Sequence, residues 1–450
     1  MRSGTEIQLN FIKRNNSVNY YYEEYKILKV KNFFAKGLIY FISSALSKGL
    51  PIFIIPFIVQ LVSAADFGRW AVYQVFIVFT GAAISFSLVS KINREFFMKE
   101  KVETAKAVSH AIGISLLFGF SIILFIGFLS LFISEVLGIA TPWYMLLGLI
   151  GIGNAIHQLI LNIYRNEGLE IMYGVFEIGK VIVHLFALFL FVYLFDFGWR
   201  GLIGAWTFST VIIGIISFIT VFRKKYYTSI FELEEVKALV IFSYPLVWNL
   251  LGGSVIGLSD RIFIKHYLGE SQVAYFVIGY TLSMGLVLFS ESFNKVWTPW
   301  FYKRIYVADL PQKETIVKYT YGFVLILSLC ALVSYFLAKF VILYLLPVEY
   351  LASLDILAFI ASALYLNAVG TLFLPYFIAS GKTKVVGRVV ILVAILNVIL
   401  NASLVPLYGI KGAAIATLIS FAVKVIVLLT YYQFKSVHPM PWKIKSLKLN

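Results

Sequence analysis

The sequence predicts an all-α polytopic membrane protein with twelve transmembrane helices, arranged as two parallel six-helix bundles. Three observations predict this class: an apolar composition, twelve long apolar windows, and basic residues that alternate between successive connections. Of the 450 residues, 60% are hydrophobic and 13% are charged, and the mean hydropathy is +0.89. A soluble protein of this composition would lack the polar side chains that its surface requires, whereas lipid accepts an apolar surface.

Each apolar window is about 20 residues long, which is enough for an α-helix to cross about 30 Å of hydrocarbon. The windows lie near 37–62, 70–90, 108–132, 142–164, 171–195, 198–222, 238–264, 273–297, 318–345, 354–379, 385–407 and 411–434. No connection on the side that is poor in basic residues is longer than about ten residues, so we expect the function to lie in the membrane.

The charge distribution predicts the orientation. Twenty-six Lys and Arg residues fall in the two ends and in every second connection, whereas three fall in the other six connections. The positive-inside rule therefore places both termini in the cytoplasm. The net charge of +16 would suggest nucleic-acid binding in a soluble protein, but here it belongs to the loops, and we expect no nucleic-acid partner.

Three pairs of similar stretches, in order and at nearly constant offset, indicate an internal repeat. The weakest pair is ADFGRWAVY at 65–73 with SQVAYFVIG at 271–279, at an offset of 206. FDFGWRGLIGAW at 195–206 aligns with PLYGIKGAAIAT at 406–417 at an offset of 211, and EGLEIMYG at 167–174 aligns with SGKTKVVG at 380–387 at an offset of 213. The offset spans six helices, an even number, so both copies enter the membrane from the same side. Such parallel repeats form two bundles with a substrate cleft between them.

The repeat and the charge pattern divide the chain into five parts. We expect a basic cytoplasmic arm that lies on the lipid headgroups, an N-terminal bundle, a cytoplasmic linker, a C-terminal bundle and a cytoplasmic tail. Their predicted ranges are 1–36, 37–222, 223–237, 238–434 and 435–450.

Five basic residues fall deep inside predicted spans, where each charge costs about 2.5–3.5 kcal/mol on insertion scales. They are Lys48, Lys180, Arg261, Lys295 and Lys424. Basic groups retained on several helices are expected to face a water-filled cavity, and a cationic cavity favours an anionic ligand. Lysine suits phosphate as a point charge and arginine as a bidentate fork. Tyr and Trp residues near this cavity are candidates for stacking on sugar rings.

Acidic residues and one histidine accompany these basic groups. Glu177, Lys180 and His184 fall within roughly 60° of one another on a helix, which makes a polar face in an otherwise apolar span. Glu177, His184, Asp260 and Glu291 are candidates for binding a coupling ion, either H⁺ or Na⁺.

Purely structural roles for the same residues and for two further histidines remain open. Glu177 and Lys180 are spaced to form a structural ion pair. Asp260 and Arg261 are adjacent and are expected to point about 100° apart, one toward the cleft and one toward a neighbouring helix. His157 and His110 are interpreted as core or interfacial residues that can also carry protons.

Glycine and proline interrupt the first span of each half. The first span contains Gly49, Pro51 and Pro56, and the seventh contains Pro245, Gly252 and Gly253. Interrupted helices at matching positions of two repeats indicate hinge or gating segments. The alternative is that small residues simply allow neighbouring helices to pack closely.

Several chemistries are excluded by the motifs. SGKT at 380–383 resembles a phosphate-binding loop, but such a loop requires glycine where Tyr376 stands. The sequence has no HExxH motif and only one cysteine, Cys330, so we expect no metal, no cofactor and no disulfide within the chain. The outward connections are too short to hold the acidic site of a membrane polymerase or glycosyltransferase, so we expect no enzyme.

Four stretches resemble the multidrug/oligosaccharidyl-lipid/polysaccharide (MOP) exporter superfamily. They are LPIFIIPFIVQLVSAADFGRW (50–70), SDRIFIKHYLGESQVAYFVIGYTLS (259–283), FIASGKTK (377–384) and NVILNASLVPLYGIKGAAIATLIS (397–420). The resemblance implies a MATE-like, V-shaped transporter that works by alternating access. The most similar branch is that of the O-antigen flippases, which move undecaprenyl-pyrophosphate-linked oligosaccharides across the bacterial inner membrane.

In that branch, basic residues on cleft-facing helices are thought to hold the pyrophosphate, and Lys48, Arg261 and Lys295 lie on the corresponding helices. Lys180 and Lys424 do not match motif positions of the family and are assigned from their depth in the membrane alone. The resemblance also implies membrane lipids, a polysaccharide polymerase and chain-length proteins as partners. The alternative functions are a cation-coupled multidrug or metabolite exporter of the same fold and, less simply, an enzyme.

Overall fold

The computed structural model describes residues 42–435, apart from gaps at 44–45, 48, 51, 86–87, 97–99, 229–231, 306–309 and 380–381. At a few helical positions, among them Pro245 and Lys295, only the backbone is described. The predicted arm at 1–36 lies outside the described residues, as does all but the first residue of the predicted tail at 435–450.

The described chain is mostly helical. In order, its α-helices are α1 (Ile52–Leu61), α2 (Ala64–Ser85), α3 (Val89–Glu95), α4 (Lys101–Leu129), α5 (Leu146–Glu167), α6 (Glu170–Leu188), α7 (Gly198–Arg223), α8 (Leu233–Leu268), α9 (Glu270–Ser283), α10 (Gly285–Ile305), α11 (Leu310–Leu345), α12 (Leu354–Leu372), α13 (Leu374–Ala379) and α14 (Thr383–Lys435). Within these described residues, nine helical stretches are long and apolar enough to cross a membrane.

Short elements join the helices. Two-residue strands β1 (Glu135–Val136) and β2 (Ile139–Ala140) pair antiparallel in a small hairpin. One turn of 3₁₀ helix precedes α5 and another precedes α12, and α6 continues into a π-helical turn at Phe189–Leu194. The sequence pattern predicted none of these, because such short stretches carry no periodicity.

Several boundaries differ from the prediction. Helix α8 begins at Leu233, within the range predicted as the linker, 223–237. The eighth and tenth predicted spans are each divided, the first at Met284 between α9 and α10 and the second at Phe373 between α12 and α13. Conversely, α14 contains the last two predicted spans, joined at Gly409, whose φ of 62° lies in the left-handed region that favours glycine.

The predicted interruption of the seventh span is wrong, because α8 is helical from end to end through Pro245, Gly252 and Gly253. Membrane helices tolerate proline where neighbouring groups satisfy the freed backbone. Gly252 instead allows close packing, since a Cβ there would lie 3.3 Å from a methyl group of Val390 on α14. In the first span, Pro51 lies outside the described residues, whereas Gly49 is buried and Pro56 is half-buried in the described helix. Whether these residues act as hinges stays a prediction.

The helices form two groups that meet along α2. In the N-terminal half, α5 packs against α2, α4 and α7, and α6 packs against α7. In the C-terminal half, α14 packs against α8 and α12, and α12 packs against α11. Helix α2 contacts both α8 and α9, so it carries much of the junction between the halves.

Glycine sets the closest approach within the N-terminal group. A Cβ at Gly214 of α7 would lie 2.7 Å from the Cα atom of Gly153 on α5. Because real Cβ atoms do not come so close to backbone, the contact between α5 and α7 depends on both glycines. This contact holds α5 in place behind the site described next.

Candidate functional site

A cavity of about 310 Å³ lies in the N-terminal half and is closed on one side by α9 of the other half. Its volume is in the range of small-molecule sites. Its polar lining residues are Ser47, Gln74, His157, Gln158, Glu177, Lys180, His184, Ser209 and Thr281, joined by Trp70 and Trp206. The other lining residues are aliphatic, apart from Phe67.

The polar face of α6 forms one wall of this cavity. Glu177, Lys180 and His184 all line it, as their shared face on the helix requires. From Glu177 to His184 the polar wall extends about 10 Å along the helix axis, at 1.5 Å per residue. Val181 and Leu188 of α6 also line the cavity, whereas Ile182 and Phe186 are exposed.

Lys180 is held by an amide and not by a carboxylate. Its Nζ atom donates a hydrogen bond to Oδ1 of Asn154 on α5 at 2.6 Å. Glu177 instead accepts a hydrogen bond from the Tyr173 hydroxyl at 3.3 Å. The ion pairs between described residues do not include Glu177 with Lys180, although the two charges lie close enough to interact electrostatically.

Two histidines and a tryptophan add polar atoms to the wall. His184 Nδ1 lies 3.3 Å from Ser209 Oγ, and the His184 ring meets the Trp206 ring edge-on at 5.1 Å between centroids. His157 Nδ1 lies 3.3 Å from Ser217 Oγ. Within the described part of the chain, His157 Nε2 and Trp206 Nε1 are buried without a hydrogen-bond partner. Buried polar atoms are rarely left unsatisfied, so these atoms suit a ligand or water.

The donors of the cavity can hold a ligand that is rich in acceptors. An ammonium group carries three N–H donors, and Asn154 occupies one of them on Lys180. Trp206 contributes an indole N–H, which only donates. Together they suit phosphate oxygens or sugar hydroxyls. Glu177 is the one carboxylate among the residues that line this cavity.

Ion pairs join α2, α8 and α9 where the two halves meet. We call this the hairpin end, because β1–β2 lies there with the beginnings of α2, α7 and α9. Arg69 Nε lies 2.9 Å from Glu270 Oε1, and Lys265 Nζ lies 2.5 Å from the same oxygen. Gly138 of the hairpin is packed against both Lys265 and Glu270. One carboxylate of α9 therefore joins α2, α8 and α9, and its partner Arg69 lies in sequence between the cavity residues Phe67 and Trp70.

Asp260 and Arg261 are not among the residues that line this cavity, and they do not point apart. The two side chains pair with each other, with Arg261 Nη1 3.0 Å from Asp260 Oδ1, and both are buried. Arg261 also donates to the Gly257 carbonyl at 2.8 Å and lies over the Tyr280 ring. The long arginine side chain folds back along α8, so helical angles alone misplaced it.

The remaining residues that the sequence singled out do not line this cavity or lie outside the described residues. Lys424 is on α14 and Glu291 is an exposed residue of α10. Lys48 lies outside the described residues, and so does the side chain of Lys295. His110, interpreted from sequence as core or interfacial, is buried on α4 and accepts a hydrogen bond from the Glu232 backbone N–H at 3.1 Å.

Comparison with known proteins gives the family. A model of the family described as polysaccharide biosynthesis protein matches residues 33–305. The chain belongs to this family. It is 25% identical over 404 residues to the capsular polysaccharide biosynthesis protein CapF of Staphylococcus aureus, which covers 88% of this chain and 97% of CapF.

Solved structures show the fold. An inward-facing multidrug resistance MATE family transporter of the MOP superfamily matches 85% of this chain and 97% of its own with a TM-score of 0.62 at 16% identity. The lipid II flippase MurJ in an inward closed conformation matches 90% of this chain and 87% of its own with a TM-score of 0.58 at 17% identity. The chain is thus a multi-pass membrane protein with the fold of these solved structures.

Sequence reasoning missed Asn154 and Trp206. Asparagine is rare on the lipid-facing side of helices, because an unpaired amide in hydrocarbon is costly. An asparagine within a predicted span was therefore a signal of a polar contact. Nothing in the sequence distinguishes Trp206 from the other seven tryptophans.

Proposed function

We propose that this protein carries an anionic lipid-linked oligosaccharide across the bacterial inner membrane. The substrate is an undecaprenyl-pyrophosphate-linked repeat unit of a surface polysaccharide such as O-antigen, moved from the cytoplasmic to the periplasmic leaflet. Twelve spans form two six-helix bundles with cytoplasmic termini, and alternating access between the bundles moves the headgroup. The protein is a transporter and not an enzyme.

The observation that carries this proposal is that Lys180 faces the cavity without forming a salt bridge to a described carboxylate. Its partner is a neutral amide, and described carboxylates form no ion pair with it. A charge at this depth costs about 2.5–3.5 kcal/mol, and a ligand phosphate would offset that cost. The neighbouring unpaired Trp206 N–H would donate to a further phosphate or sugar oxygen, and so would His157 Nε2 in the tautomer that carries its proton there.

The relatives support the chemical class of the substrate. CapF is named for capsular polysaccharide biosynthesis, and MurJ is named for flipping lipid II, a lipid-linked saccharide. The cavity also has an aromatic wall, in which the rings of Trp70 and Trp206 lie 5.6 Å apart, and such surfaces can stack on sugar faces. Export of a cationic drug would instead need carboxylates, of which Glu177 is the one in the lining.

The return of the empty carrier requires an energy source, and we propose coupling to H⁺ or Na⁺. Glu177 and His184 are candidates inside the cavity, and Asp260 and Glu291 are candidates in the other half. Asp260 supports this role best among the C-terminal groups, because its Oδ2 atom is buried without a partner among the described residues. No resident metal or organic cofactor is proposed.

The test is a flipping assay in proteoliposomes. A prenyl-diphosphate-linked saccharide with a fluorescent label is placed in both leaflets, and a membrane-impermeant quencher reports the label that reaches the outer leaflet. We expect wild-type protein to expose nearly all of the label and Lys180→Gln to leave the inner pool protected. The matched control is Lys339→Gln, which removes an exposed lysine of α11.

Two outcomes would contradict the proposal. One is equal flipping by Lys180→Gln and the wild type at equal protein density. The other is the absence of flipping together with efflux of a cationic dye that depends on Glu177, which would favour the multidrug alternative.

A further inference from the structure

The C-terminal half contains a second lysine that is held in the same way as Lys180. Nζ of Lys424 on α14 donates a hydrogen bond to Oδ1 of Asn367 on α12 at 3.0 Å. Each half therefore places one membrane-embedded lysine on one asparagine of a neighbouring helix. Lysine–asparagine contacts are not demanded by helix packing, so this recurrence calls for a physical reason.

The two asparagines occupy equivalent positions of the internal repeat. Asn154 and Asn367 are separated by 213 residues, the same offset that aligns EGLEIMYG with SGKTKVVG, and each is followed by alanine. The lysines, by contrast, are not equivalent, since Lys180 lies in the fifth predicted span and Lys424 in the twelfth. Duplication thus accounts for the asparagines, but not for the lysines, which contact them from non-equivalent helices of the two halves.

The surroundings of Lys424 leave its charge available. Ion pairs within the described part of the chain do not include it, and its side chain is half-buried with Nζ 5.6 Å from the centre of the Phe421 ring. Gly370, one turn along α12 from Asn367, lies next to the lysine stem, since a Cβ there would be in ordinary contact with Lys424 Cε at 4.0 Å. Two of the three ammonium protons remain free for a ligand.

A line of polar groups extends from this lysine. Thr371 lies one turn beyond Asn367 on the same face of α12 and accepts a hydrogen bond from Asn294 Nδ2 at 3.3 Å. Asn294 Oδ1 is itself buried with no partner among the described residues. Polar groups so arranged inside a membrane protein mark a substrate path more often than a lipid contact.

We infer that Lys424 and Asn367 form a second phosphate-binding site, the C-terminal counterpart of Lys180 and Asn154. This inference rests on the proposed function and deepens it: each half binds the diphosphate of the lipid-linked substrate through one lysine. The asparagines are positioning residues, because each fixes an ammonium group by accepting one proton without cancelling its charge. A ligand held by both halves is coupled to their relative motion, since it binds differently when the halves separate.

The first test needs no variant. Purified wild-type protein is acetylated with an amine-reactive reagent, with and without farnesyl diphosphate, and the modification of each lysine is read by mass spectrometry. We expect farnesyl diphosphate to slow acetylation of Lys180 and Lys424 about tenfold or more and to leave Lys339 unchanged. Farnesol, which lacks the phosphates, should protect neither. Equal acetylation of Lys424 under all conditions would overturn the second site.

The second test measures affinity for farnesyl diphosphate in variants that retain the wild-type melting profile. Lys424→Gln should weaken binding about 10- to 100-fold, the loss of one charge-assisted hydrogen bond. Asn367→Asp should weaken it similarly although the lysine remains, because the new carboxylate neutralises the ammonium. Asn367→Gln, which keeps the amide, should restore most of the affinity, and a purely structural role for Asn367 would not separate these two variants.

The outcomes distinguish this inference from the proposed function. Loss of affinity in Lys180→Gln with wild-type affinity in both Lys424→Gln and Asn367→Asp would remove the second site and leave the proposed function standing. Wild-type affinity in every variant, including Lys180→Gln, would overturn both.

Discussion

The double variant Lys180→Met/Asn154→Leu separates the function of the cavity lysine from its contribution to stability. Methionine has nearly the volume of lysine, and leucine has the branched shape of asparagine; together the replacements remove the 2.6 Å hydrogen bond and its charge without leaving an unpaired partner. The single variant Lys180→Met is less informative, because it leaves the Asn154 carbonyl unsatisfied at a cost of about 1–3 kcal/mol.

The expected magnitudes follow from the contacts of Lys180. Its charge costs about 2.5–3.5 kcal/mol in the membrane, and a hydrogen bond to a charged group returns about 1.5–3 kcal/mol. Removing the charge and its hydrogen bond together should therefore raise the free energy of unfolding by about zero to 2 kcal/mol. A phosphate ligand, however, loses a charge-assisted bond of about 1.5–3 kcal/mol, which is about a 10- to 150-fold loss of affinity.

The assay pairs a thermal unfolding midpoint in detergent with flipping of the labelled prenyl-diphosphate saccharide. We expect a midpoint equal to or above that of the wild type together with severely reduced flipping. A midpoint several degrees below the wild type would show that the lysine is a structural element. Normal flipping would refute the assignment of this cavity to the substrate.

Three further predictions concern other parts of the molecule. Glu270→Gln removes the carboxylate at the hairpin end and should raise the rate of hydrogen exchange at the β1–β2 amides about fivefold, which corresponds to roughly 1 kcal/mol of ion-pair energy. Unchanged exchange would mean that this carboxylate does not stabilise the hairpin. Gly214→Ala should destabilise the protein by about 1–3 kcal/mol, because its Cβ meets Gly153, whereas Gly179→Ala, with open space around it, should not; equal melting of the two would count against the packing argument. Asp260→Asn should lower the unfolding midpoint strongly, since breaking a buried ion pair costs about 3–5 kcal/mol, and a midpoint like that of the wild type would mean that the pair is solvated.

The apolar windows and the polar face of α6 were predictable from sequence for a simple reason. Burial in lipid imposes a run of apolar residues on every span, and helical geometry then brings Glu177, Lys180 and His184 to one face. Both features depend on residues that are near one another in the chain. The same reasoning predicted the helix interruptions poorly. Helix α8 continues through Pro245, whereas the helical pattern is interrupted at Met284, between α9 and α10.

The contacts of the charged groups were not predictable, because their partners come from other helices or depend on side-chain rotamers. Asn154 reaches Lys180 from α5, and nothing in the spacing of the two residues indicates that contact. Asp260 and Arg261 meet because the arginine side chain bends back over its own helix. The repeat offset did contain the missing information, since it relates Asn154 to Asn367.

The central claim is that Lys180 faces a wet cavity that an anionic headgroup fills, and cysteine labelling tests it most directly. Cys330, the single cysteine of the sequence, is replaced by serine, and one cysteine is introduced at Thr281, which lines the cavity from α9. We predict that a water-soluble maleimide labels this cysteine, that farnesyl diphosphate slows the labelling, and that Lys180→Gln abolishes the slowing. Labelling that is absent, or that farnesyl diphosphate leaves unchanged while Lys180 is present, would contradict the claim.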